Sequence, residues 1–589
     1  MKLNPEHTRL FDFIDYQLAN YPQKISIAGK VDGKWKTHTT EEIIKAAYAL
    51  SSGLLSVGIG PGDKVAIIGN NRPEWVIADL AILQIGAINV PIYPTISEHD
   101  YAFIFNDSEV KLAFVSDNDL LQKAVLAQKE TPTLKNIYTF DHVTGADHYS
   151  ILLNAADATA KINALRKDVK AADLATLIYT SGTTGTPKGV MLSHRNVASN
   201  AIASEPRLPV KNDAIGLSFL PLCHIYERMM IYLYTYTGVS LYFSPSLDNI
   251  GDDIREVKPN VFTAVPRLLE KVYDKIMAKG ADLSGVKKSL FYWAVALGEK
   301  YEPYGANGPF YELKLKIANK LIFSKWREAL GGNVQAIASG SAALNPRLAR
   351  IFNAAGIPVL EGYGLTETSP VVSVNEIENN GMRFGTTGRP IADVQVKIAE
   401  DGEILVKGPN VMLGYYKRPD LTDEVIDKDG WFHTGDIGEM VDGQYLKITD
   451  RKKEIFKTSG GKYIAPQIIE NKFKESRFIE QIMVIGENQK HPSALIVPSF
   501  TFLEDWCKRK NIAYTDRKSM IENPAVAARY EKEVEELNAH FGKWEQLKRV
   551  RLVDREFTVD NGLVTPTLKL KRKQILNEFS DLINAIYAY

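Results

Sequence analysis

The chain has 589 residues, 45% hydrophobic and 24% charged. This is ordinary globular composition over more length than one simple core accommodates, so two or more domains are expected. Lys plus Arg and Asp plus Glu each total 71, so no global field favours nucleic acid or an acidic membrane and any anion site has to be local, while two cysteines far apart, Cys223 and Cys507, exclude a disulfide framework or a cysteine metal cluster and fit a reducing cytoplasm.

The first residues, MKLNPEHTRLFDFIDYQL, carry acids and lack an uninterrupted apolar run, so they read as a short amphipathic helix and not as a secretory signal. From 63 to 115 the chain alternates. DKVAIIG reads as a strand, PEWVIADLAILQIG as a helix, and AINVPIY and VKLAFVS as further strands, which implies a parallel sheet with helices on its faces. The most apolar long window, 75–94, contains Asp79, Gln84, Asn89 and two prolines, each costly in a bilayer. A helix followed by a buried strand is expected there, not a membrane span.

Residues 123–170, polar and mixed, lead to the stretch around which the chain is organised. DLATLIYT at 173–180 reads as a buried strand and delivers TSGTTGTPKG at 180–189. In it Thr180, Ser181, Thr183, Thr184 and Thr186 supply hydroxyls, Gly182, Gly185 and Gly189 let backbone N–H groups crowd an anion, and Lys188 adds a positive point charge. Such a loop at a strand end is built to hold phosphate. It is not a Walker loop, because a proline precedes Lys188 and a glycine follows it.

The alternation resumes with AIGLSFLPL, a helix beyond Tyr226, GVSLYFS, NVFTAV and a helix from Pro266; residues 287–330 read as helical hairpin material rich in Lys, Tyr and Trp. His224 ends the strand LPLCH and reads either as a satisfied strand-end histidine or as a site residue. Met229, Met230, Tyr232, Tyr234 and Tyr236 follow on a helix, as acyl-pocket lining or as ordinary core. Further on, VQAIASGSAALNPRLARIFNAAGIPVLEGYGLTETS reads as strand, glycine turn, helix, strand and loop. Gly340, Ser341 and Ala342 are small enough to let a flat ring approach the backbone, and Tyr363 offers a stacking face. Thr366 offers a hydroxyl to phosphate and Glu367 a carboxylate to Mg²⁺, although a Thr-Glu pair alone is also an ordinary helix start. Past Ser373 shorter strands with an Asp-Gly hairpin signal indicate a β subdomain, about 374–449. Successive charges at 450–453, from Asp450 to Lys453, leave few buried contacts to lock the backbone and suit a hinge. Residues 454–589 have strands and helices of their own, including a long charged helix near 526–541.

Five motifs stand in order: TSGTTGTPKG, EGYGLTET at 361–368, GWFHTGD at 430–436, DRKKEIFKTSGGKYIAP at 450–466 and TPTLKLKR at 565–572. Together, over almost the whole chain, they resemble the adenylate-forming acyl-CoA synthetases. LPLCHIYER at 220–228 and TAVPRLLEKVYDKI at 263–276 resemble the long-chain fatty acyl-CoA branch, as does the 287–330 insertion. The resemblance implies the adenylate-forming fold: an ATP- and acyl-binding domain, 1–449, of parallel α/β sheets plus the β subdomain, and a small mobile α+β lid, 454–589.

It also implies a ligase that uses ATP, Mg²⁺ and coenzyme A on a fatty acid, with no nucleic-acid partner, in the cytoplasm and with peripheral contact at the inner face of a membrane left open. In that scheme Gly340, Ser341 and Ala342 border adenine, and Glu361, Gly362, Tyr363, Gly364 and Thr366 belong to the nucleotide site. Asp436 takes both ribose hydroxyls, joined by Arg451, and Glu367 takes the metal. His224 borders the acyl and thioester-forming site, and Gly460 and Gly461 admit the pantetheine arm. Lys569 is the catalytic lysine. The family's usual glycine before it is Leu568 here, and Lys571 offers a rival register; aligning the basic pair Arg572 and Lys573 selects Lys569. Two alternatives stand beside this reading: an acyl-AMP ligase or acyl-carrier-protein synthetase, and a non-catalytic acyl-nucleotide binding protein.

Overall fold

The computed structural model describes residues 2–181, 186–246, 249–559, 561–565 and 569–588. The first alternating runs become parallel strands Lys64–Ile68, Ile88–Ile92 and Val110–Val115, with the helix Pro73–Leu83 crossing between the first two. Their side chains are almost all buried, as a sheet covered on both faces requires. The polar stretch after them is not mere linker, since Asn136–Thr139 extends this sheet at one edge and Asn118–Gln128 and Thr159–Asp168 are helices. At the other end the sheet continues through Leu174–Ser181 and Pro187–Ser193, antiparallel to each other, and closes on Gly414–Tyr415. A segment more than 200 residues downstream thereby lies beside the phosphate motif.

A second, nine-stranded sheet is parallel through its centre, where Ser240–Phe243, Ile215–Ser218, Val261–Ala264, Ala336–Ser339 and Val359–Gly364 adjoin in that order. One buried ion pair ties the helix layers of the two sheets. Arg228, on the helix Ile225–Thr237, places Nη2 2.6 Å from Asp79 Oδ1 on Pro73–Leu83 and donates from Nη1 to Thr176 Oγ1 at 2.7 Å. Removing one partner of such a pair strands a buried charge, at a cost of about 3–5 kcal/mol.

The β subdomain is an antiparallel sheet of Gln395–Ile398, Glu403–Lys407, Phe432–Val441 and Tyr445–Arg451. The C-terminal part packs Ile479–Ile485, Ser493–Pro498 and Val550–Leu552 against the helices Pro466–Phe473, Phe500–Lys510 and Pro524–Asn538. Among the described residues its buried core runs from Ile464 onward, with Phe456 packed against it, as expected of a separately folding domain. Among the described residues no helix is long and apolar enough to cross a membrane.

One expectation fails at the boundary. Lys452 and Lys453 are exposed as a solvated hinge requires, but Asp450 is only 1% exposed. It sits on the strand Tyr445–Arg451, and its carboxylate accepts the N–H of Gln467, in the first turn of Pro466–Phe473, at 3.1 Å and that of Arg451 at 2.6 Å. A run of charges says nothing about which member a strand turns inward. Burial pushes this carboxyl up to about 7.

Candidate active site

Thr180 pairs with Lys188, and Ser181 with Pro187, so the described ends of the phosphate motif belong to two antiparallel strands and not to the strand-to-helix turn of a Walker loop. Gly182, Thr183, Thr184, Gly185 and the Ser181 side chain lie outside the described residues; Thr186 is an exposed bend beside them. Gly189 leaves little room for a side chain, since a Cβ there would stand 3.1 Å from the Tyr179 ring and 3.3 Å from Tyr416 Cβ. Thr180 and Lys188 line a cleft of about 2220 Å³ that runs between the two domains.

Lys188 Nζ lies 5.1 Å from the centroid of the Tyr415 ring, and the Tyr415 hydroxyl donates to Glu367 Oε1 at 2.9 Å. Tyr415 thus bridges the phosphate hairpin to the carboxylate expected to hold a metal. No motif singled it out, because it belongs to a two-residue edge strand that carries no periodicity. Glu367 stands in the single turn Thr366–Thr368, in which Thr366 is buried, so the Thr-Glu pair is a short 3-10 turn and not the start of a long helix.

The other walls follow from strand ends. Gly340 closes Ala336–Ser339, where a Cβ would come within 3.3 Å of the Tyr226 ring; Ser341 takes φ +70° and Ala342 is exposed in the cleft wall. Glu361 is buried, and its Oε1 accepts the N–H of Leu344 at 2.8 Å, so it braces the turn beneath the ring site. Burial lifts its carboxyl to about 8. Gly362 and Gly364 flank Tyr363 in the cleft wall, and a Cβ on Gly364 would collide with the Pro370 carbonyl at 1.9 Å.

The ribose candidates are brought together by strand register. Asp436 on Phe432–Val441 is the cross-strand partner of Arg451 on Tyr445–Arg451, with Nε 3.4 Å from Oδ1. The Tyr363 hydroxyl donates to Asp436 Oδ2 at 2.6 Å, so this ring is pinned at its edge with its faces left for stacking.

Lys569 enters from the C-terminal domain. Its segment is folded back by a Thr565 N–H bond to the Lys569 carbonyl at 2.8 Å and a bridge between Val564 and Leu570. Burial and the nearby Arg451 charge lower its amine to about 8, against the opposing pull of Asp436, Glu367 and Glu454. The first two of these carboxylates are the ribose and metal candidates, so the lysine reaches the same centre. Lys571 instead precedes the helix Arg572–Glu578 and donates its backbone N–H to Leu563.

His224 combines a local structural bond with a place in the cleft wall. Its Nδ1 accepts the Tyr226 N–H at 3.1 Å, capping Ile225–Thr237, and its ring lines the cleft. Burial, reinforced by the Lys569 charge, drops its pKa to about 4, so the imidazole is neutral near pH 7. The following helix divides by face. Met229, Met230 and Leu233 line the cleft, whereas the Tyr232 hydroxyl donates to Asp79 in the core, Tyr234 is buried in that core and Tyr236 packs 5.0 Å from the Tyr16 ring. Gly460 and Gly461 are not brought to the cleft. They form an exposed turn between Phe456–Lys457 and Tyr463–Ile464, with Gly461 at φ +80°.

Residues 14–416 match the family model described as AMP-binding enzyme, and residues 453–589 match that of the AMP-binding enzyme C-terminal domain. The chain belongs to the AMP-binding enzyme family. Among its relatives, the long-chain-fatty-acid–CoA ligase FadD15 of Mycobacterium bovis is 34% identical over 597 residues, covering 99% of this chain and 97% of the relative. The peroxisomal long chain acyl-CoA synthetase 7 of Arabidopsis thaliana is 33% identical over 622 residues, covering 99% and 87%. In fold this AMP-binding enzyme is similar to the anthranilate CoA ligase AuaEII in complex with anthranoyl-AMP, with TM-score 0.72 at 17% identity over 98% of both chains. It is likewise similar to ATP-bound MatB from Rhodopseudomonas palustris, with TM-score 0.73 at 22% identity over 98% of this chain and all of that one.

The donor set of this AMP-binding enzyme fits Mg²⁺ in one particular way. Among the described residues no three His, Cys, Asp or Glu side chains cluster as a metal cage. Glu367 offers one carboxylate whose Oε2 is not the oxygen taken by Tyr415, in a cleft also lined by Lys188. That suits a hard cation bound by a single carboxylate plus substrate phosphates.

Proposed function

We propose that this AMP-binding enzyme is an ATP-dependent fatty acid–CoA ligase acting on long-chain acids. The observation that carries the reading is the convergence of Lys188, Glu367, Asp436 and Lys569, from segments nearly 400 residues apart, on one cleft with an apolar wall at Met229, Met230 and Leu233. The names of its relatives, long-chain-fatty-acid–CoA ligase and long chain acyl-CoA synthetase, support the substrate class and the acceptor.

A carboxylate is a poor electrophile. In the first half-reaction one of its oxygens attacks the α-phosphorus of ATP, the bond to the β-phosphate oxygen breaks, and pyrophosphate leaves with both electrons of that bond. The protein mainly positions and neutralises. Lys188 and the phosphate motif hold the β and γ phosphates, Asp436 accepts from the ribose hydroxyls, and Tyr363 covers adenine. Lys569 bridges the acid and the α-phosphate as negative charge gathers there. Mg²⁺, held by Glu367, supplies further neutralisation of the phosphates when bound. His224, neutral and accepting at Nδ1, carries its proton on Nε2 and presents a donor to the acyl oxygen. In the second half-reaction the sulfur of coenzyme A attacks the acyl carbon, its proton is lost to water, and AMP leaves with the C–O bond electrons.

We assign residues 1–449 to the nucleotide and acyl domain, 450–453 to a hinge and 454–589 to a lid that rotates between the two steps. Rotation withdraws Lys569 and carries Gly460 and Gly461 to the pantetheine path, which agrees with their position on an exposed turn away from the cleft. The enzyme is assigned to the cytoplasm, where it meets a sparingly soluble acid at the inner face of a membrane. A panel from acetate through palmitate to aryl acids, scored for coenzyme A-dependent AMP release, tests the reading. Release rising with chain length supports it, and absence of acid-dependent pyrophosphate exchange overturns it.

A further inference from the structure

The helical segment that starts at Pro309 and runs through Asn319–Phe323 to Ala329 has two apolar faces. One is inside: Leu315, Ala318, Phe323 and Trp326 belong to the core beneath the second sheet. The other is outside. Phe310 is 82% exposed, Leu313 58%, Ile317 45% and Leu321 50%. Spacings of three, four and four residues put these four side chains on one arc of the helix, a stripe roughly 16 Å long at 1.5 Å rise per residue. Scattered exposed apolar residues need no explanation, but four in one stripe mark an interaction surface.

Charge identifies the occupant. Lys314, Lys316 and Lys320 are exposed on the same segment, and among the described residues none of them makes an ion pair, whereas Lys325 is paired with Glu328 at 2.8 Å and Arg327 turns inward to Asn319 and the Ala355 carbonyl. Lys287 and Lys288, next to the 75%-exposed Val286, add to the positive field from the helix Gly285–Gly298, which packs against this segment. A second copy of the chain would set lysines against lysines. An anionic bilayer accepts both features at once, because apolar side chains enter the acyl boundary while long lysine stems lie along it and keep their charge among the headgroups.

We propose that the segment from Pro309 to Ala329 is an in-plane membrane anchor that docks this enzyme on anionic lipid through Phe310, Leu313, Ile317 and Leu321. The proposal rests on the reading of the substrate as a membrane-partitioning acid, and it adds the face by which the enzyme meets that substrate. A chain with balanced global charge thereby acquires a local basic and apolar patch, confined to the 287–330 insertion.

Flotation of the full-length protein with phosphatidylcholine vesicles and with phosphatidylcholine–phosphatidylglycerol vesicles tests it. Binding to the mixed vesicles, weakened by salt, is expected. Leu313→Gln combined with Ile317→Gln is expected to lower that binding about tenfold, and Lys314→Glu with Lys320→Glu to remove the preference for anionic lipid. AMP release from a water-soluble medium-chain acid is measured in parallel and should be unchanged by both double variants. Loss of that activity in the parent protein as well would fault the assigned reaction and leave flotation as a separate result. Phe310→Trp should be quenched by brominated acyl chains. No flotation with either vesicle overturns the anchor, as does flotation indifferent to all four substitutions or a stripe found buried by self-association in light scattering.

Discussion

On the N-terminal side of the cleft, Asp436 is held by strand register opposite Arg451 and by the Tyr363 hydroxyl, and Glu367 by the Tyr415 hydroxyl. On the C-terminal side, Lys569 is fixed within its own domain, where Arg572 bonds Glu454 and Glu470 beside it. Between that domain and the rest run the half-buried pair Arg267 with Glu480 and the bond from the Gln467 N–H to the buried Asp450 carboxylate, while Lys452 at the boundary pairs with Asp401 and Glu403. The first set depends on sheet pairing and partial burial, so it moves only if a sheet opens. The second is joined to the first by partly exposed ion pairs and by the Gln467–Asp450 bond. The difference supports the proposed lid rotation: one half of the site is held by sheet pairing, and the other is the half that such a rotation would detach between the two half-reactions.

Substitutions on the two halves should therefore fail in different reactions. Lys569→Ala is expected to cost ~10²–10³ or more in adenylation, the range for losing one group aimed at developing charge. Thioester formation from supplied acyl-adenylate should be spared. Equal loss in both half-reactions would refute the division. Asp436→Asn acts on the fixed half, where a carboxylate accepting from two hydroxyls is worth ~1.5–3 kcal/mol, so the KM for ATP should rise about 10–100-fold while the acyl acid KM stays put. Tyr363→Phe, which leaves Asp436 paired to Arg451 alone, should show a smaller rise of the same kind.

Much of the fixed half was legible in the primary structure because its chemistry demands unusual residues. A glycine- and threonine-rich stretch, small residues at 340–342 and the HTGD carboxylate each announce themselves. What brings them together did not. The 3.4 Å approach of Arg451 to Asp436 is a matter of register, and Tyr415 reaches Glu367 only because a two-residue strand pairs with Pro187–Ser193. The apolar helix Ile225–Thr237 defeated periodicity for the opposite reason. Both of its faces are buried, one in the core and one at the cleft, so Met229 and Tyr232 look alike in sequence. Asp450 was misjudged because its neighbours are charged, while strand pairing and the start of Pro466–Phe473 enclose it.

The lid side should add an alkaline limb of its own, distinguishable by substitution at Lys569 from any limb due to Glu361, whose carboxyl burial lifts to about 8. With its amine lowered to about 8, Lys569 is charged below that value and neutral above it. The charged form neutralises the α-phosphate, so kcat/KM for adenylation, which reports the free enzyme, should fall about tenfold per pH unit above pH 8. Lys569→Arg, slower at every pH, should lose this alkaline limb because guanidinium stays protonated. His224, neutral down to about 4, contributes no limb between pH 5 and 8.

The smallest effect belongs to the interdomain contact itself. Arg267 lies in the first turn of Pro266–Ala281, pairs there with Glu270 at 3.1 Å and reaches across to Glu480 on Ile479–Ile485. Both ends of the cross-domain pair are partly exposed, 22% and 17%, so its contribution is about 0.2–1 kcal/mol and Arg267→Glu should slow adenylation only about two- to fivefold. If the contact merely stabilises the lid in its adenylating orientation, thioester formation from supplied acyl-adenylate should hold steady or rise, and Glu480→Arg in the same chain should restore adenylation. A single substitution that slows both half-reactions alike, without rescue by the reversed pair, would make the contact part of the fixed half and erase the distinction between the two sides of the cleft.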